Sequence, residues 1–107
     1  MKYRAWDIGG EVVKQDDRYT VKDNTRLNNL IVSSTRLLAG KSTTGHQHAG
    51  QEEVYIFVEG QGEMELGIER FQVGKGDTVL IEDGQFHRVH AQEEMYFICV
   101  FDGRRSH

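Results

Sequence analysis

The chain reads as an all-β sandwich or barrel, and three observations predict it. Short alternating segments recur between turn residues, no long segment carries a 3.6-residue period with a matching cap, and the apolar runs are rich in Val, Ile, Tyr and Phe. Such side chains suit a pleated, half-buried surface. Proline is absent, so the turns rest on 12 glycines and on Asn and Asp.

The elements follow in order. Asn29 to Leu38, "NLIVSSTRLL", is the first clear strand, and Thr43 to His48 the second, broken by "AGQ". Glu53 to Val58 is β-branched and aromatic. Beyond "EGQG", Glu63 to Leu66 and Arg70 to Val73 form the arms of a hairpin closed around Gly67. "VGKGD" leads into Thr78–Ile81, "EDGQ" into Phe86–His90, and Met95 to Phe101 closes the series. Eight short strands in this span point to a closed or two-layered β architecture. Residues 1–28 form an N-terminal arm or edge strands outside a core over 29–101, with "QDDRY" and "VKDN" reading as turns. The C-terminal "DGRRSH" is expected to be exposed.

Length and composition bound the function. At 107 residues, the chain 1–107 is expected to be one domain. Its size lets it bury roughly 60–70% of its extended surface, enough for one modest core. The net charge of −4 gives no electrostatic reason to expect a nucleic acid or an anionic membrane. No apolar run approaches the ~20 residues of a membrane helix, and "MKYRAWDIGG" lacks the apolar segment of a secretion signal. Cys99 is the sole cysteine, which excludes an internal disulfide and fits a cytoplasmic protein. Within "MYFICVF" it is expected to be a small buried hydrophobe.

The stretch "GHQHAGQEEVYIFVEG" carries the chemistry. On a strand, His46 and His48 point to one face and Gln47 to the other. Glu52 and Glu53 face opposite ways, and parity alone leaves the choice between them open. Glu53 goes with Tyr55 and Phe57, Glu52 with Val54, Ile56 and Val58. A third imidazole stands in "GQFHRVH", where His87 shares a face with Val89 and opposes Arg88 and His90. Three neutral imidazoles and a carboxylate suit a borderline divalent ion such as Mn, Fe, Zn, Ni or Co, with positions left for water or substrate.

These residues resemble a known pattern. "GKSTTGHQHAGQEEVYIFVEG" is similar to the first motif of the cupin superfamily: glycine, five residues, His-any-His, three or four residues, glutamate, six residues, glycine. It falls on Gly40, His46, His48, Glu53 and Gly60, and the spacing to Gly60 selects Glu53 over Glu52. "GDTVLIEDGQFHRVHA" resembles the second motif, on Gly76, Gly84 and His87, with Glu82 in the place of the usual proline and Ala91 in that of asparagine. The resemblance implies a double-stranded β-helix, the cupin or jelly-roll β-barrel. It also implies a divalent metal held by His46, His48, Glu53 and His87, and commonly a homodimer. Because cupins host many chemistries, fold alone does not choose one.

Further candidates surround the implied ligands. Tyr55 shares Glu53's parity and is expected to contact substrate or assist catalysis. His90 is a candidate acid–base group should a bulge turn it inward, and Arg36 a candidate grip for a substrate carboxylate or phosphate. Glu63 and Glu65, alternating on one strand face, are expected to be exposed. The expected activity is isomerisation or epimerisation of a sugar-like small molecule. A ferrous dioxygenase and a non-enzymatic, metal-dependent small-molecule binder are the alternatives. No phosphate-gripping cluster is evident, which favours a neutral or weakly charged substrate.

Overall fold

A computed structural model describes residues 1–103. Among them nine strands form, and no helix: β1 (Glu11–Gln15), β2 (Tyr19–Asn24), β3 (Leu30–Leu37), β4 (Glu53–Glu59), β5 (Gln61–Leu66), β6 (Glu69–Gly74), β7 (Thr78–Ile81), β8 (His87–Ala91) and β9 (Met95–Asp102). They make two antiparallel sheets, of order β1-β2-β3-β9-β4-β7 and β6-β5-β8. This is the all-β jelly roll expected. From residue 104 on, the tail expected to be exposed lies outside the described residues.

The period of two decides what each strand buries. On β4, Glu53, Tyr55 and Phe57 are buried on the inner face while Ile56 is exposed. β9 lies centrally between β3 and β4 and is buried on both faces. That is why "MYFICVF" reads as a continuous apolar run. Its residues Met95, Phe97, Cys99 and Phe101 join Phe57, Leu37, Met64 and Val89 in the main core. Tyr96 and Ile98 point the other way and pack with Ile8 of the N-terminal segment, beside Val32, Val58 and Val100.

Two local expectations are corrected. "VKDN", taken as a turn, is the body of β2, registered against β3 from Asn24↔Val32 to Tyr19↔Leu37. Its Asp and Asn mimic turn chemistry: Tyr19 and Val21 alternate inward, but the next inward residue, Asp23, lines the cavity and cuts the apolar alternation short. In contrast, Thr43 to His48 forms no regular strand. It runs beside β8, joined by isolated bridges at Ser42↔His90 and His46↔His87. The interruption has a cause at Thr43. Its hydroxyl accepts from Val89 N (3.0 Å) and its carbonyl from Arg88 Nε (3.2 Å), which breaks the regular ladder between the bridges.

Gly60 turns the chain from β4 into β5 with φ of 80°, and a Cβ there would run into the carbonyl oxygen of Glu94. Gly60→Ala is therefore expected to destabilise the fold by about 1–3 kcal/mol or more, from backbone strain plus the collision. Urea unfolding at equilibrium measures it, and an unchanged midpoint would contradict it.

Candidate metal centre

Each member of the site is placed by a different element. Glu53 opens β4 and points inward; His87 opens β8 on the facing sheet; His46 reaches the centre through the backbone pairing of its own N–H and C=O with His87 (3.3 and 3.0 Å). One ligand atom from each of His46, Glu53 and His87 lies within 4.8 Å of the others. Glu53 and His87 are only 6% and 3% exposed, so the centre opens to the cavity on the side of His46.

The donor chemistry fits a cation. His87 Nδ1 donates to the carbonyl of Gln85 at 3.0 Å, which in the neutral ring leaves Nε2 as a lone-pair donor. Nε2 stands 2.9 Å from Glu53 Oε2 without forming a hydrogen bond to it. A nitrogen lone pair and a carboxylate oxygen meeting in a buried place are compatible when a positive ion lies between them. A backbone carbonyl that fixes the tautomer of a histidine ligand is the usual supporting contact.

His48 is adjacent to this trio but not part of it. Its ring centroid is 4.9 Å from that of His46, and it lines the same cavity. That cavity has a volume of about 480 Å³, within the range typical of small-molecule sites. His46, His48, Glu53 and Tyr55 line it, together with Thr44.

Tyr55 sits where the parity argument placed it. Its ring is 5.6 Å from that of His87 and stacks on Phe97 at 5.4 Å. Burial, with smaller contributions from Cys99 and the Glu53 charge, pushes its phenol well above the usual range. Tyr55 therefore keeps its proton. Burial and then the Glu53 charge push the Cys99 thiol up as well, so it is a buried, un-ionised wall residue.

Two candidates are corrected. His90 does not turn inward: Ser42 Oγ meets its Nδ1 at 2.6 Å and its Nε2 donates to Glu65 Oε2 at 2.5 Å. No bulge interrupts β8, whose register with β5 is continuous from Ala91 to His87. His90 therefore takes the face opposite His87 and Val89, where Arg70 bonds both Glu63 and Glu65. Arg36 also faces outward, bonded to Glu94 at 2.9 Å with its guanidinium 4.9 Å from the Tyr96 ring. Its neighbours Thr35 and Leu37 take the inner face, so Arg36 has no access to the cavity.

The structure adds residues the sequence did not single out: Lys14, Tyr19, Asp23, Ser33 and Thr35 also line the cavity. At its rim Arg18 is held by Asp16, bonds Tyr19 Oη (3.0 Å) and reaches Thr44 Oγ1 (3.0 Å), tying the β1–β2 turn to the histidine-bearing segment. The Arg18 guanidinium holds the Asp16 carboxyl at about 2, below the usual carboxylate range. A strand parity scan of β2 and β3 could have found Asp23, Ser33 and Thr35, had β2 been read as a strand.

Comparison with known proteins agrees with this architecture. Residues 34–101 match the family described as Cupin domain. An uncharacterised protein of Streptomyces coelicolor is 34% identical over 97% of both chains. L-ectoine synthase of Wolinella succinogenes is 39% identical over 70 residues, and an uncharacterised protein of Methanocaldococcus jannaschii 42% over 50. The matches span only 53% and 40% of those two relatives. Among solved structures, KdgF from a Halomonas species superposes with a TM-score of 0.79 at 23% identity, covering 89% of both chains. A variant of Bacillus subtilis oxalate decarboxylase superposes at 0.77 and 24% identity, over 87% of this chain and 28% of that one.

Proposed function

The chain belongs to the cupin family, and from that premise we propose that it is a metal-dependent isomerase or epimerase of a sugar-like, oxygenated small molecule. The observation that carries the reading is the His46–Glu53–His87 cluster set in the wall of a cavity large enough for a small organic molecule. When bound, a divalent ion such as Mn, Fe, Zn, Ni or Co would supply Lewis-acid polarisation of a carbonyl and its neighbouring hydroxyl oxygen, acidifying the hydroxyl-bearing carbon beside the carbonyl.

The chain's own residues do the rest. His46, Glu53 and His87 would hold the ion, and His48, whose ring lies beside that of His46 on the same cavity, would be its fourth ligand. Tyr55 offers a protonated phenol beside the cluster, suited to donating a hydrogen bond or proton to a substrate oxygen. The aromatic walls of Tyr19, Phe97 and Phe101 limit water around the reacting carbon. The names of relatives and neighbours, an ectoine synthase and an oxalate decarboxylase among them, cover different reactions and so do not choose between chemistries.

Two measurements test the reading. Protein purified without a metal-affinity step is expected to carry close to one divalent ion per chain. Glu53→Gln should weaken that binding far more than Glu52→Gln; the reverse order would reject the assigned ligand. For the reaction, anaerobic incubation with a substrate sugar is expected to wash solvent deuterium into the carbon beside the carbonyl, more slowly in Tyr55→Phe. Oxygen consumption that requires ferrous iron would replace this reading with an oxygenase. Sugar binding without exchange would leave a binding protein.

A further inference from the structure

The wall of the cavity formed by β2 and β3 is polar without an internal reason. Ser33 and Thr35 are 5% and 6% exposed, both line the cavity, and neither hydroxyl makes a hydrogen bond among the described residues. Both hydroxyl groups open onto the cavity, so whatever fills it supplies their hydrogen-bond partners. Asp23 registers directly opposite Ser33, and Val21 opposite Thr35, so the carboxylate continues the same polar patch. Asp23 also lines the cavity and forms no ion pair among the described residues.

Position sets the size of the partner. In the sheet order β3-β9-β4, Ser33 is registered with Cys99 and Cys99 with Tyr55. Two inter-strand steps, roughly 10 Å along the sheet, thus separate the patch from the strand that carries Glu53. A two-carbon chelator seated at the cluster falls short of it, whereas the carbon chain of a pentose or hexose reaches across. Charge sets the chemistry. Asp23 accepts from hydroxyl groups and repels a carboxylate or phosphate, while Ser33 and Thr35 both give and accept. Among the described residues Lys14 is the one lysine or arginine in the lining, and it sits out on exposed β1 with its Nζ 5.3 Å from the Tyr19 ring centroid.

Resting on the function proposed above, we infer that Asp23, Ser33 and Thr35 bind the far hydroxyl groups of a polyhydroxylated, monosaccharide-sized molecule whose other end lies at the His46–Glu53–His87 cluster. These three side chains determine which sugar is taken, and the cluster determines what is done to it.

The test is direct binding by calorimetry to manganese-loaded protein, using D-xylose, L-arabinose, D-mannose, D-galactose, D-fructose and, as the short chelator, oxalate. At least one sugar should bind. Asp23→Asn should weaken it about tenfold or more, and Ser33→Ala and the isosteric Thr35→Val each about two- to tenfold. Metal content, oxalate affinity and melting temperature should not change. A sugar whose affinity is indifferent to all three substitutions overturns the inference, as does a panel in which oxalate binds and no sugar does. Repeating the sugar titrations on metal-free protein separates the two proposals. A chain that takes up no metal yet binds sugar through the patch removes the catalytic reading and keeps this one.

Discussion

Glu53→Gln is expected to move metal binding and metal-free stability in opposite directions. The glutamate is buried, and its Oε2 stands 2.9 Å from His87 Nε2 with no hydrogen bond formed between them. Holding a carboxylate in that place costs desolvation, and a cation between Glu53 Oε2 and His87 Nε2 offsets that cost. The amide of glutamine has nearly the same shape, carries no charge, and can donate its N–H to the His87 lone pair. Without metal the variant should therefore be more stable than the parent, by about 1–3 kcal/mol. Its divalent-metal affinity should fall on the order of a hundredfold or more, since a ligand is lost outright where loss of an outer partner already costs ten- to a hundredfold. Thermal melts of both proteins, with chelator and with saturating Mn, read the two effects together. His90→Ala is the control, because its ring faces Ser42 and Glu65 and should leave metal affinity unchanged. A variant that is less stable without metal, or that keeps its affinity, would mean Glu53 is a structural carboxylate.

Such a trade follows from building a binding site inside a small core: the groups that hold the ion are ones the empty fold would rather not bury. It also explains what the sequence made legible. Strand parity paired Glu53 with Tyr55 and Phe57 and opposed His87 to His90, and the backbone obeys both alternations. The glycines of the motifs were legible because they do a physical job, Gly60 most plainly, where no side chain fits. Inside and outside were harder. β4 has apolar residues on both faces, and the outer face of the large sheet carries its own apolar cluster around Ile8. Nothing local therefore said that Arg36 points away from the cavity. β2 was hidden for the converse reason. Its inner residues Tyr19 and Val21 meet the core, but the third, Asp23, borders only the cavity, so the alternation stops after four residues. A polar strand beside a binding site and a polar turn look alike until the register with β3 is known.

Phe97→Ala is expected to produce the largest loss of stability of any single change argued here. Phe97 is 1% exposed at the middle of the central strand β9. Its ring is 5.4 Å from that of Tyr55, nearly parallel at 20°, and 5.2 Å from that of Phe57. Removal leaves a void beside the rings of Tyr55 and Phe57, within the main core. Strands hydrogen-bonded on both sides cannot move in to fill it. The cost should be about 3–5 kcal/mol, transfer and cavity terms together, a large share of what a domain of this size has to lose. Phe97→Leu, which keeps much of the volume, should cost less than half as much. Tyr55 gives the experiment a second readout. With its stacking partner gone, the phenol loses the surface that fixes it beside His87, so sugar affinity in Phe97→Ala should fall while metal content holds. Urea titration of parent, Phe97→Leu and Phe97→Ala checks the order. A Phe97→Ala chain as stable as the parent would mean that the aromatic stack between cavity and core contributes nothing to the fold.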